Sequence, residues 1–273
     1  MSVAFRHLQD LDLDALRGRW RHSVGVAVLD SGVDCGHPEL QDRVVRSAQV
    51  VLDGGLFQVV DHPEPVAQDL FAQGGHGTAV AGLILRVAPR ARIHDFRVVG
   101  VGGVLVEPGA LTAALRCAVL SDEVRIINLS IAADASWSRE AGLRRWVDEA
   151  YRRGKVVVAS LGNQRRQGPP VDYPEVLGVH GADLGGYGIR YGPCLTAEFQ
   201  SWGERVPAPA AGGGEALRGG NSFAAAVASG LAALLLGANP ALTPFQVKSL
   251  LMNLPLAGQH PDGQPQDAVA PGL

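Results

Sequence analysis

Residues 24–34 read VGVAVLDSGVD. From Val24 to Leu29 the run has no polar side chain and no alternation, and it stops on a carboxylate, Asp30, followed by Ser31 and Gly32. An unbroken apolar run bounded by turn residues is a strand covered on both faces, as in a parallel sheet with helices above and below it. The same reading extends to SAQVVL at 47–52, RIHDFRVV at 92–99, VRIINLS at 124–130 and KVVVAS at 155–160. Helical periodicity lies between these runs at 76–86, 108–120 and 138–153, the last with Leu143, Trp146, Val147 and Ala150 on one face. Two further helices are predicted at 222–237 and 244–254, the second with Thr243 as N-cap and Pro244 in its first turn. Strands alternating with helices predict a doubly wound α/β sandwich.

The rest of the composition narrows the class. The 273 residues carry 24 Lys+Arg against 27 Asp+Glu, a net charge of -3, with 47% hydrophobic residues. That balance suits one globular domain spanning 1–273 and argues against nucleic acid as the main ligand. Residues 1–22 read as an N-terminal extension, helical in HLQDLDLDALRGRW at 7–20, and 255–273 as a loop-like tail. Cys35, Cys117 and Cys194 lie far apart, form no metal-ligand spacing and argue against a disulfide framework. The N-terminus has no apolar stretch of signal-peptide length, and no run approaches the roughly 18 apolar residues of a membrane span. A cytoplasmic protein without membrane contact is expected.

In sheets of this kind ligands gather at the carboxyl ends of the strands, so polar residues there are candidates for chemistry. Asp30 is one; read alone, DSG is more often a strand-end turn or a cap. His76 in GGHGTAVAGLI, where a glycine-flexed loop enters a helix, is a second, and a lone His there is more often a cap or surface residue. Ser222 in GGNSFAAAVASG sits at another glycine-loop to helix junction, where free N–H groups and the helix dipole favour an oxyanion. There Asn221 or Ser222 would also serve as a plain N-cap. A serine hydroxyl needs an imidazole to take its proton and a carboxylate to hold that imidazole, and the chain supplies one of each in such settings. Asn163, just past the strand in VVVASLGN, would add an amide for a tetrahedral oxyanion. The glycine string VVGVGG at 98–103 admits a nucleotide-binding reading, but no acidic ribose partner follows about 20 residues on.

Together these blocks resemble the subtilases, the subtilisin-like serine proteases. DSGVDCGHPEL is similar to the block around the family's catalytic Asp, GGHGTAVAGLI to that of the His, VVVASLGN to that of the Asn and GGNSFAAAVASG to that of the Ser. INLSIA at 127–132 and VDYPEVLGVHGA at 171–182 resemble the substrate-binding strand and the strand that follows the Asn block. The resemblance implies a three-layer α/β sandwich with a mainly parallel central sheet, and a serine endopeptidase acting through an acyl-enzyme. Asp30 would orient, His76 act as general base and then acid, Ser222 attack, and Asn163 polarise the carbonyl. An extended peptide or protein substrate would lie between Leu129, Ser130, Ile131 and Ala132 on one side and Gly102 and Gly103 on the other, with Gly162 beside it. Glu107 aligns with an aromatic wall of a distal pocket in relatives, and Ala132 replaces a glycine beside the primary pocket.

The chain departs from the family at the Ser block, where Asn221, Phe223 and Ala226 stand for Thr, Met and Pro. That change motivates a competing reading, a subtilase fold that keeps the groove as a binding or chaperone module. Only 29 residues precede Asp30, so folding without a prodomain is expected, and with it a restricted substrate. The compact chain is similar to leader-removing maturation proteases, such as the one that trims the small subunit of quinohemoprotein amine dehydrogenase, with client or accessory maturation proteins as partners. General protein turnover is the alternative.

No cofactor and no metal site are expected. AGLILRVAPRARIHDF at 81–96 lacks the longer loop that wraps calcium in many relatives, and Ala79 stands where they often carry a second histidine. Glu39 and Asp42 are too few for a shell of six or more oxygens. EDTA should therefore leave activity and Tm unchanged in thermal melts. A chelator-induced drop of about ten degrees, restored by calcium, would show that a metal stabilises the fold by mass action.

Overall fold

The central strand is β1 (Val24–Asp30), buried along its whole length and paired parallel with β4 (Ala91–Arg97) on one side and β5 (Val124–Leu129) on the other. The computed structural model describes residues 13–64, 75–99, 107–130, 141–162 and 168–254. The remaining strands of the sheet are β2 (Val44–Asp53), β3 (Leu56–Asp61), β6 (Val156–Ser160), β7 (Leu177–Ala182), β8 (Ile189–Cys194) and β9 (Ala197–Trp202). Among the described residues these nine run in the order β3-β2-β4-β1-β5-β6-β7-β9-β8. Every neighbouring pair is parallel except the edge hairpins β2–β3 and β8–β9.

The two faces of β1 explain the layers. Val26 and Val28 join a core with α1 (Leu13–Arg19), α2 (His76–Val87), α5 (Asn221–Ala238) and α6 (Pro244–Met252). Ala27 and Leu29 face the opposite core, filled by α3 (Pro108–Leu120) and α4 (Ala141–Arg152). This is the three-layer α/β sandwich implied by the resemblance. From β1 the chain passes to the edge hairpin β2–β3, returns to place β4 beside β1 and then crosses to β5, so the strand order reverses at β1. The crevice beyond the carboxyl ends of β1 and β5 is the place such folds reserve for ligands.

Helix α5 corrects one sequence expectation. It has 18 residues and is apolar enough to span a membrane by length and composition, but 94% of it is buried inside the fold. A helix apolar all round is covered all round, and here the cover is protein. Small residues permit the close packing: a Cβ on Gly230 would lie 2.6 Å from the Cβ of Val87, and one on Gly237 2.7 Å from the Trp20 ring. Helix α6 starts as expected, with Thr243 and Gln246 forming a reciprocal capping box.

Other expectations shift at the edges. The segment 47–52 reads as a buried parallel strand; β2 is parallel to β4 there, but it starts at Val44, loses its cover toward Asp53 and pairs antiparallel with β3 on its other side. In 171–182 only Leu177–Ala182 is strand. No strand is predicted from sequence for β3, β8, β9 or the separate hairpin β10 (Val206–Pro209) and β11 (Glu215–Arg218). Of the predicted 7–20 stretch, the described part is helical over Leu13–Arg19. Residues 1–12, 138–140 and the 255–273 tail lie outside the described residues. Cys35, Cys117 and Cys194 are free thiols.

His94 on β4 is buried, and neither ring nitrogen has a hydrogen-bond partner among the described residues. Glu123 Oε2 is 3.9 Å from Nε2, beyond hydrogen-bond reach, and belongs to a side chain that is 67% exposed. Desolvation therefore prevails, and burial pushes the imidazole pKa down to about 4, with Arg46, Arg92 and Lys155 adding in the same direction and Glu123 opposing. Between pH 6.5 and 4 the unfolded chain binds a proton at this site that the folded chain refuses. Stability should fall across that window as pH is lowered, by up to about 3 kcal/mol from this group. Urea midpoints at pH 7 and 4.5 should differ less in His94→Leu than in the wild type; equal differences would remove His94 from the account.

Candidate active site

Strand β1 delivers Asp30 to the switch-point crevice with 3% of its surface exposed. A carboxylate so placed needs donors. Oδ1 accepts the Ser31 N–H at 2.7 Å and lies 2.8 Å from His76 Nδ1. The turn that permits this uses Gly32, whose φ of 104° is strained for any residue with a Cβ. Ser31 Oγ in turn accepts the N–H of Gly77, and Thr78 Oγ1 accepts that of Asp34, so the first turn of α2 is stitched to the Asp30 loop. His76 is the first residue of α2 and keeps 27% of its side chain exposed, enough to meet a ligand.

The His76 ring packs at 5.3 Å, tilted 47°, against Phe223, the neighbour of Ser222. Both residues open α5, whose N-cap is Gly220 at φ 149° with no side-chain cap. Neither Asn221 nor Ser222 is therefore the N-cap that the sequence also allowed. The Ser222 hydroxyl is buried and donates to the Ser130 carbonyl at 3.2 Å. Ser130 Oγ donates to Asn128 Oδ1 at 2.8 Å, and Asn128 Nδ2 donates to Ser229 Oγ at 2.9 Å. This buried polar chain pins the end of β5 to α5 beside Ser222. Asn128 and Ser229 are absent from the sequence-based candidates; one polar residue in the apolar run IINL and one in AAAVASG were the available signs.

Asp30, His76, Ser222 and Ser130 thus gather at one crevice, and Gly162 is buried at the exit of β6. Leu129, read as a substrate-binding residue, is a core residue instead: β5 is paired there with β1 and β6, and its side chain is fully buried. Gly102, Gly103, Ile131, Ala132 and Asn163 lie outside the described residues. Glu107 is exposed at the N-cap of α3.

Glu39, weighed as a calcium ligand, has both oxygens at 2.7 Å from Arg86, which holds its carboxyl below the usual range. Arg86 also donates to the Pro207 carbonyl and pairs with Glu215 at 2.8 Å. Asp34 Oδ2 accepts the Gly212 N–H and His37 Nε2 contacts the Gly214 carbonyl, so the loop after Asp30 also holds the β10–β11 hairpin that leads into Ser222. Among the described residues no group of three or more His, Cys, Asp or Glu would hold a metal ion.

The model of the Subtilase family, Peptidase S8, matches residues 21–264. The chain is 35% identical over 258 residues to the subtilisin-like protease het-Q2 of Podospora anserina, covering 78% of this chain and 69% of that one. It is 27% identical to subtilisin E of Bacillus subtilis, over 84% of this chain, and spans only 59% of that relative's length. Among solved structures, the S41 psychrophilic protease superposes with a TM-score of 0.64 at 24% identity, covering 84% of this chain and 82% of that one. Sphericase gives 0.63 at 23%, over 83% and 81%.

Gly77 offers a test of how tightly the two halves are joined. A Cβ there would lie 2.1 Å from the Gly32 carbonyl oxygen and 3.3 Å from Asp30 Oδ1. Backbone cannot swing aside like a flexible side chain, so Gly77→Ala should push α2 away from the Asp30 loop. The expected stability loss is about 1–3 kcal/mol. Peptide hydrolysis should drop on the order of 10²-fold, since small misplacements of a proton acceptor are costly. Steady-state kinetics and a thermal melt on the variant check both; wild-type values in either would contradict the close approach.

Proposed function

The chain belongs to the subtilase family, and from that premise we propose that it is a serine endopeptidase in which Asp30, His76 and Ser222 act as one proton-transfer unit. The observation that carries this reading is the 2.8 Å contact between Asp30 Oδ1 and His76 Nδ1 beside the start of the Ser222 helix. A proton on Nδ1, donated to the buried carboxylate, leaves Nε2 unprotonated, and it would accept the Ser222 proton once that hydroxyl turns from the Ser130 carbonyl, to which it donates in the structure. Attack of Oγ on the scissile carbonyl forms the C–O bond and places negative charge on the carbonyl oxygen. The Ser222 N–H, in the first turn of α5, and the Asn163 amide are the proposed donors to that oxygen. The C–N bond then breaks as His76 gives its proton to the leaving amine, and water hydrolyses the acyl-enzyme by the same route in reverse.

The finer reading is a protease specialised for maturation, removing a leader from a restricted peptide or protein that binds as an extended strand. Two sequence features support it: Glu107 puts an exposed carboxylate where relatives place an aromatic wall, and Ala132 adds a methyl beside the primary pocket. Main-chain pairing would then supply affinity and the narrowed pockets selectivity. Cleavage mapping on a diverse peptide library, with Ser222→Ala as control, tests it. Large apolar residues dominating the fourth position before the cut would favour general protein turnover.

Ser222→Ala and His76→Ala should each abolish turnover, and their losses should not add. Asn163→Ala should fold normally and lose on the order of 10²-fold to 10³-fold in kcat. A fluorophosphonate followed by intact mass should add one adduct to the wild type and none to Ser222→Ala. An unmodified wild type would leave the binding-module reading, which the altered Ser block motivates.

A further inference from the structure

We infer that Asn221 is a positioning residue that fixes Ser222 against the ends of strands β6 and β7; the inference rests on Ser222 being the nucleophile. A primary amide has one acceptor oxygen and two N–H donors, and both ends of Asn221 are engaged. Oδ1 accepts the Gly181 N–H of β7 at 2.7 Å. Nδ2 donates to the Leu161 carbonyl at 2.8 Å and reaches the Gly162 carbonyl at 3.3 Å, both just past β6. The reversed amide would set its oxygen against two carbonyls and its nitrogen against an N–H, so the surroundings define one orientation.

The backbone around the amide is shaped to admit it. A Cβ on Gly181 would lie 3.3 Å from Asn221 Oδ1 and 3.4 Å from the Gly203 Cα, while one on Gly203 would lie 2.7 Å from the Gly181 Cα and 2.9 Å from the Gly220 carbonyl oxygen. The Gly220 N–H donates to the Gly203 carbonyl at 2.8 Å. Three glycines thus bring the strand ends and the turn before α5 into near contact, and Asn221 bridges them with its side chain. Gly220 is the N-cap of α5, so Asn221 stands at the first helical position, from which its side chain reaches both strand ends. A threonine at this place has a single, shorter-reaching hydroxyl oxygen with one proton, in place of the separate oxygen and NH2 group with which Asn221 meets β7 and the carbonyls after β6.

The consequence is geometric. Leu161 and Gly162 precede Asn163 along the chain, and the bridge fixes the Ser222 turn against this exit of β6. Ground-state binding of an extended peptide depends on main-chain pairing elsewhere and should be little affected.

The experiment compares wild type, Asn221→Ala and Asn221→Asp in two assays, below the melting temperature of each protein: the rate constant of fluorophosphonate labelling, and kcat and KM on one peptide amide that the wild type cleaves. Asn221→Asp keeps the size and the acceptor for Gly181 and replaces the donor with a charged oxygen, so it serves as a second variant if the alanine variant does not fold. Both variants should label and turn over on the order of 10-fold to 10²-fold more slowly, with KM within about twofold of wild type. Labelling at the wild-type rate, or a change confined to KM or Tm, would overturn the positioning role. A wild type that neither labels nor cleaves would overturn the Ser222 reading beneath it.

Discussion

A carboxylate at the end of an apolar strand is costly unless donors surround it, and Asp30 is such a group. Its position is dictated by β1, which both cores grip, and its charge is met by the Ser31 N–H and His76. The demand for donors links two elements that are far apart in sequence: the first turn of α2 must come to the Asp30 loop, and the small residues Gly32 and Gly77 let backbone meet backbone there. Ser31 and Thr78 then add bonds that hold the imidazole's helix in place. The third member arrives on α5, whose apolar surface packs into the core shared with α2.

Much of this arrangement was legible in the sequence. The unbroken runs of β1, β5 and β6 and the N-cap and proline of α6 are strong local codes, and their bounds came close to the observed ones. The edges were not legible, for a physical reason. Strands β3, β8 and β11 are largely exposed, β10 has only four residues, and β9 alternates in burial but places Ala197, Phe199 and Ser201 inward, so none carries the long apolar run by which the central strands are read. The position of helix α5 is plain in the sequence but its apolar length is not, because alanines do not stand out as apolar until they are counted along 18 residues.

The site divides the same way. Asp30, His76 and Ser222 were visible because each follows a strand or opens a helix next to glycine. Their support was not. Asn128 and Ser229 meet across elements about a hundred positions apart, and the amide of Asn221 serves strand ends that only the fold brings near. Arg86 likewise joins Glu39, Pro207 and Glu215, a cluster no local pattern announces. Residues that act on a substrate carry local signatures; residues that hold them do so through contacts distant in sequence.

The order of strands across the sheet also has a temporal side. Because β1 sits in the middle and its neighbours β4 and β5 come later in the chain, the central ladder cannot close until long loops have been brought together, and parallel pairing of this kind is slow to nucleate. His76 can meet Asp30 once α2 docks on β1, but Ser222 lies beyond all nine strands of the sheet. Hydrolytic competence therefore requires α5 to be seated as well as the central strands, and a chain that has assembled only β1, β4 and α2 holds His76 against Asp30 without a nucleophile beside it.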